Sequence, residues 1–266
     1  MKEMFMILKA TVQKEITMFI RYLPNMIGTI LQLGVRFLFF FYLSGITAYN
    51  GSITGKNLFL FFGAALLLYV IYSTTIWAPL NTVTTDLYNG TLEYIYVTPV
   101  SKFCYYFGTG ISQTIMSMVF FVPIFAALVL YSGVGFVQVG GIFLVAAAGT
   151  LNCIAIGVLL SLLGIIWKQV GAITGIIAVL FEFLAGAYAP VQTYSIPVKA
   201  AAFMLPFTWG YDLARYYLMG EKWTLLLPEP VEWCIYLGMA VLYFAAALLL
   251  MERIQNRMLR NGLYAI

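Results

Sequence analysis

Apolar residues fill this chain in runs of about 20, the length that crosses a bilayer core of about 30 Å, and short polar or proline-bearing stretches separate them. The positions that lack Asp, Glu, Lys and Arg set the spans. No charged residue lies between Lys102 and Lys168, a stretch too long for one crossing and comfortable for two. Ser132-Gly133-Val134-Gly135 is the turn between them. The same test predicts six spans, at about 24–46, 57–80, 104–131, 136–166, 171–189 and 233–251. Helices are expected, because an open sheet edge leaves unpaired backbone groups in lipid. The pattern therefore reads as an all-α polytopic membrane protein with six transmembrane helices.

Two segments outside the spans carry their own pattern. Within residues 1–23, Phe5, Leu8, Val12, Ile16, Phe19 and Leu23 recur every three or four positions, while Lys2, Lys9, Gln13, Thr17 and Arg21 gather on the other side. That spacing predicts an amphipathic helix lying in the membrane interface. Residues 190–232 hold Pro190, Pro197, Pro206, Pro228 and Pro230 together with Trp209, Tyr211, Tyr216, Tyr217 and Trp223. The prolines leave room for two short helices, about 197–205 and 207–219, and the aromatic content suits an interfacial or re-entrant position. The first span is expected to be a retained helix, since its run of about 20 residues exceeds that of a signal peptide and no A-x-A-like site follows.

Composition narrows the function. Hydrophobic residues make up 63% and charged residues 9% of the 266-residue chain, against about 25% charged in soluble domains, and the mean hydropathy is +0.95. No length remains for a soluble catalytic domain. Histidine is absent, which removes imidazole bases, imidazole metal ligands and Ser/His hydrolase arrangements. Cys104, Cys153 and Cys234 lie far apart and indicate neither a disulfide framework nor a zinc site. No catalytic and no metal site is expected. Gly51-Ser-Ile-Thr-Gly55-Lys56-Asn57 resembles a phosphate-binding loop but is one residue short, ends in Asn and follows no strand.

Charge placement orients the chain. With the N-terminus inside, Lys2, Lys9, Lys14, Arg21, Lys102, Lys168, Arg253, Arg257 and Arg260 are cytoplasmic, against Lys56, Lys199, Arg215 and Lys222 outside. The bias places both termini in the cytoplasm of a cell-membrane protein. The net charge of +4 is then a topology signal, and no nucleic-acid partner is expected. Only Arg36 and Glu182 fall inside predicted spans, about twelve and eleven residues from the inner surface, or about 18 and 17 Å at 1.5 Å per residue. Charges at that depth face the protein interior and pair. An Arg36–Glu182 contact is expected, within one chain or across a dimer; the alternative is a first span that starts later, with Arg36 snorkelling to an interface.

The inner loop 82–103 reads Asp86-Leu-Tyr-Asn-Gly90-Thr91-Leu92-Glu93-Tyr-Ile-Tyr-Val-Thr98-Pro99-Val100-Ser101-Lys102. Thr91 is placed to cap a short helix that begins at Leu92, and Pro99 stops it. This string resembles the signature of type-2 ABC exporter permeases of the daunorubicin-resistance-like group. Leu205-Pro206-Phe207-Thr208-Trp209…Leu213-Ala214-Arg215 is similar to the stretch those permeases carry before their last span. Asp86 departs from the pattern, standing where many members have Glu or Arg-Glu, and Lys102 is the lone basic residue after the Thr-Pro-Val-Ser string.

The resemblance implies a permease subunit that forms a homodimer or heterodimer and docks on two copies of an ATP-binding subunit. That partner would hold ATP and Mg, and this chain would bind no cofactor. Coupling to it would involve Asp86, Gly90, Thr91, Leu92, Glu93, Thr98, Pro99 and Lys102, with the N-terminal helix against the same partner. The substrate path would follow the dimer interface, bordered by the first, second and fifth spans, where Arg36 and Glu182 lie. Pro206, Trp209 and Arg215 would mark the outer segment. Gly171 and Gly175, a G-x-x-x-G pair, would permit close helix packing. The function expected is ATP-driven export of an amphiphilic drug, lipid-linked molecule, glycan or peptide. The alternative is an ion- or proton-coupled secondary transporter, which calls for broken helices and several intramembrane carboxylates; the spans offer Pro123 and Glu182.

Overall fold

The periodic apolar runs fold into helices. The computed structural model describes residues 2–21, 23–46, 56–98, 101–166 and 171–261, and among these the regular elements are helical, with no strand. In order they are α1 (Lys2–Arg21), α2 (Leu23–Ile46), α3 (Lys56–Thr75), α4 (Ala78–Tyr88), α5 (Leu92–Val97), α6 (Lys102–Ser132), α7 (Phe136–Ile166), α8 (Gly171–Leu184), α9 (Ile196–Phe203), α10 (Pro206–Met219) and α11 (Glu229–Asn261). Single 3₁₀ turns stand at Val191–Thr193 and Gly220–Lys222.

Four helical segments among the described residues are long and apolar enough to cross a membrane: Lys56–Tyr88, Lys102–Ser132, Phe136–Gly164 and Glu229–Ile254. They correspond to the predicted second, third, fourth and sixth spans. The described apolar parts of the first and fifth, Ile27–Tyr42 and Thr174–Leu184, are shorter. The fifth stops five residues before its expected end, because the chain reverses at Gly186, where φ is 82°. The loop between the third and fourth closes as expected: α6 ends at Ser132, Gly133 takes the left-handed conformation at φ 74°, and its N–H bonds Val129 O at 3.0 Å.

The second span differs from its prediction. Pro79 cannot donate to the Thr75 carbonyl, and its ring would collide with it, so the helix cannot pass through unbroken. α3 stops at Thr75 and α4 restarts at Ala78 with Pro79 in its first turn, where a missing N–H leaves nothing unpaired. Helix then continues to Tyr88, and the first part of the predicted inner loop 82–103 is α4 rather than loop.

α3 is apolar on every side and sits at the centre, as such a helix should. It packs against α2, α6, α7 and α10, while α11 packs on α7 and α10. Buried hydroxyls tie the centre together: Tyr72 Oη lies 2.8 Å from Tyr236 Oη, which donates to Val145 O at 3.2 Å. A second apolar cluster, including Val83, Leu92, Tyr106, Val158 and Met251, joins α4, α5, α6, α7 and α11 at the α5 end. The amphipathic α1 runs antiparallel to the start of α6, with Thr11 against Gly108 and Lys14 near Tyr105. α9 and α10 form a hairpin at residues 204–205. Phe207 stacks near Tyr72 and Arg215 over Phe61, so α10 runs antiparallel to α3.

Candidate functional site

Beside the break between α3 and α4 opens a cavity of about 660 Å³, walled by α1, α2, α3, α4, α6 and α8. Its lining is rich in hydroxyls and amides, among them Ser73, Thr74, Asn81, Thr82, Thr85 and Gln113. Thr74 Oγ1 donates to Val70 O at 3.2 Å and Thr82 Oγ1 to Ala78 O at 2.9 Å. Threonines whose hydrogens are held by their own helix keep oxygen lone pairs to accept with, and the amides of Asn81 and Gln113 add donors. The rim charges are held by neighbours: Lys14 lies 3.5 Å from Glu15, and Asp86 accepts two hydroxyls. Ser73, Trp77 and Ala178 also line a smaller pocket of about 110 Å³ that Tyr69, Tyr72, Phe181, Phe207 and Tyr211 make aromatic. A polar chamber thus shares a wall with an aromatic throat that reaches Glu182.

Arg36 and Glu182 meet at the throat within one chain. Arg36 Nη1 stands 3.1 Å from both Oε1 and Oε2 of Glu182. Tyr188 Oη donates to Glu182 Oε2 at 2.5 Å, and the guanidinium lies 3.6 Å from the ring centre of Tyr69. The side chains are only 22% and 15% exposed, so both face the interior instead of reaching for an aqueous boundary. α2, α3 and α8 each contribute to the cluster. Tyr69 and Tyr188 carry no signal in the sequence: one sits in a uniformly apolar helix, and the other reaches Glu182 only because the chain reverses at Gly186. Gly175 lines the polar cavity with no atom within 4 Å of where a Cβ would stand, so it makes no close packing within this chain. The surroundings of Gly171 lie outside the described residues.

The stretch expected to couple to a partner divides into buried and exposed members. Asp86 is 7% exposed. Its Oδ2 accepts from Tyr105 Oη at 3.0 Å, and its Oδ1 and backbone carbonyl both accept from Thr91 Oγ1 at 3.2 Å. Lys14 Nζ in turn reaches Tyr105 Oη at 3.4 Å. Asp86 is therefore a buried junction between α1, α4, α5 and α6. Thr91 occupies the N-cap position of α5, yet its hydroxyl turns back to Asp86 instead of capping. Gly90 makes that reversal possible at φ 68°. Leu92 is buried in the second apolar cluster, and buried Lys102 donates to Thr98 O at 2.5 Å. Burial raises the pKa of the neighbouring Tyr96 phenol, which stays protonated.

Gly90, Thr91, Glu93 and Thr98 remain exposed, and Pro99 lies outside the described residues. The sequence reading missed the largest exposed groups here: Tyr88 at 75%, Tyr94 at 76% and Val97 at 83% exposure. In so apolar a chain they resemble core residues, and only their place at the end of α4 and on the uncovered side of α5 reveals them.

The outer segment is folded into the bundle. Pro206 opens α10, and Trp209 Nε1 donates to Phe203 O at 3.2 Å, fastening α10 to α9. Arg215, counted above among the outer basic residues, is 1% exposed. Its Nη2 donates to Gly186 O at 2.7 Å and Ala187 O at 3.2 Å, and its guanidinium stacks 3.6 Å from the Phe61 ring centre. It clamps the end of α8 to α3 and α10.

No curated protein matches the chain. A family model described as "ABC-2 family transporter protein" matches residues 80–249, more than half of the chain, from the start of α4 through most of α11.

Proposed function

The chain belongs to the ABC-2 transporter family, and we propose that it is the permease subunit of an ATP-driven exporter of amphiphilic molecules. Family membership makes it a membrane transport component that is not itself catalytic. The observation that carries the finer reading is the polar chamber sharing Ser73, Trp77 and Ala178 with an aromatic throat at the Arg36–Glu182 pair. Hydroxyl and amide side chains suit the polar part of a substrate, and Tyr, Trp and Phe side chains suit its apolar part.

In this reading all six predicted spans cross the cell membrane, with both termini cytoplasmic. Two copies, identical or homologous, face each other across α2 and α8, where Leu31, Val35, Val179 and Leu180 stand exposed. ATP-binding subunits, one per copy, hold ATP and Mg and dock against Glu93, Tyr94, Val97 and Tyr88. Their closure displaces α5, and the Asp86 junction passes that displacement to α1, α4 and α6, which wall the chamber. The α9–α10 hairpin is re-entrant from the outer side, and Arg215 carries its movement to the end of α8, two residues beyond Glu182 and the turn that follows.

Co-expression with an ATP-binding subunit, followed by reconstitution in vesicles, tests the proposal. ATP-dependent movement of a fluorescent amphiphile is the expected result. Glu182→Gln should slow it about tenfold, as loss of a partly buried charge-assisted contact of about 1.4 kcal/mol would. Proton-driven movement without any ATPase partner would instead establish a secondary transporter.

A further inference from the structure

Toward the opposite end of α3 from the polar chamber lies a separate groove of about 550 Å³ between α2, α3 and α6. It shares no lining residue with the chamber or the throat. Phe37, Phe41, Phe59, Ala127 and Leu128 line it, and the hydroxyl of Tyr131 is the one polar side-chain group on its wall. Phe59 sits at the centre of the aromatic wall, 5.7 Å from Phe37, 6.0 Å from Phe41 and 5.0 Å from Tyr131 between ring centres. Along α6 the groove extends from Pro123 to Tyr131, about 12 Å at the helical rise, directed inward from the α6–α7 turn.

A cation marks its mouth. Lys56, the first residue of α3, is exposed, and its Nζ lies 5.3 Å from the Tyr131 ring centre. Among the described residues no carboxylate comes within ion-pair distance of it. An apolar slot ending in a tyrosine and a lysine has the layered chemistry of a single lipid: chain, interface, phosphate. A second copy of the chain would leave the Lys56 ammonium desolvated against an apolar helix face without a counter-charge, whereas a phosphate supplies one.

We propose that this groove binds one acyl chain of an anionic phospholipid, with its phosphate at Lys56, in the leaflet on the side of the α6–α7 turn. The site is independent of what the chain transports. Native mass spectrometry of the purified full chain, incubated with dioleoyl phosphatidylglycerol or dioleoyl phosphatidylcholine, reads it directly. Retention of the anionic lipid should exceed that of the zwitterionic one roughly fivefold, the ratio that about 1 kcal/mol per surface lysine gives. Lys56→Gln should bring the two lipids level, while Lys199→Gln, at a half-buried lysine elsewhere, should leave the ratio intact. Ala127→Trp, which fills the groove from an exposed position, should reduce retention of both lipids.

Equal retention of the two lipids by the unmodified chain would overturn the proposal. So would a Lys56→Gln chain that keeps the preference. If Ala127→Trp separates two copies while lipid retention persists, the groove belongs to a second copy and the assignment falls. Should Ala127→Trp fail to fold, the Lys56→Gln and Lys199→Gln comparison decides alone.

Discussion

Three charged residues carry much of the internal organisation, and each is read differently once its partners are known. Arg36 and Glu182 were legible in the sequence because charge is so scarce: two residues of equal depth and opposite sign had few other companions. Their contact at 3.1 Å predicts a swap experiment. Arg36→Glu sets two carboxylates together and Glu182→Arg two guanidiniums, each at a cost of about 3 kcal/mol. The double exchange should recover most of the lost folded yield and transport; a double variant no better than the singles removes the pair from the mechanism. Arg215 was legible as a motif residue but not as a buried one, since nothing in a linear charge count reports depth. Its Nη2 donates to the carbonyls of Gly186 and Ala187 while its Nε reaches Phe61 O at 3.5 Å and its plane stacks on the Phe61 ring, a combination that an ammonium cannot reproduce. Arg215→Lys should therefore lower stability by about 2 kcal/mol in detergent unfolding, although the charge is kept.

Among elements, α4 and α5 show where periodicity succeeds and where it stops. Gly90, Thr91 and Pro99 pointed to a short helix at 92–97, and α5 stands there. The break before α4 was missed because a test for charge-free runs is blind to Pro79, and for the same reason the hydroxyl run from Ser73 to Thr85 was divided between the span 57–80 and the inner loop. That run lines the chamber; polar residues clustered within an apolar helix were the available signal. The two exposed and buried sets around α5 make separable predictions. Tyr94→Ala should weaken binding of the ATP-binding subunit roughly 30-fold, or about 2 kcal/mol, as truncation of an interfacial tyrosine does, with membrane insertion unaffected. Asp86→Ala should leave that binding in place and abolish stimulation of ATP hydrolysis by substrate, because the junction to Tyr105 and Thr91 is lost. Loss of binding in both variants, measured by pull-down, would reassign Asp86 to the docking surface.

For the whole molecule, the four long apolar segments and the two short helices α9 and α10 were readable from charge-free runs and proline spacing, whereas the lateral packing was not: such runs say nothing of a helix's neighbours. The exposed apolar faces of α2 and α8 predict where two copies meet. With exposed Cys234 first changed to Ser, and Cys104 and Cys153 left buried, Leu31→Cys combined with Val179→Cys should form a cross-link between copies in native membranes. A monomeric product under oxidation would place the interface elsewhere. The pairing of α1 with α6 also sets a timetable. Residues 2–21 leave the ribosome long before residues 102–132, a lag of several seconds at about 5–20 residues per second. During synthesis the first helix must wait without its partner, with its apolar face uncovered until α6 arrives to receive it.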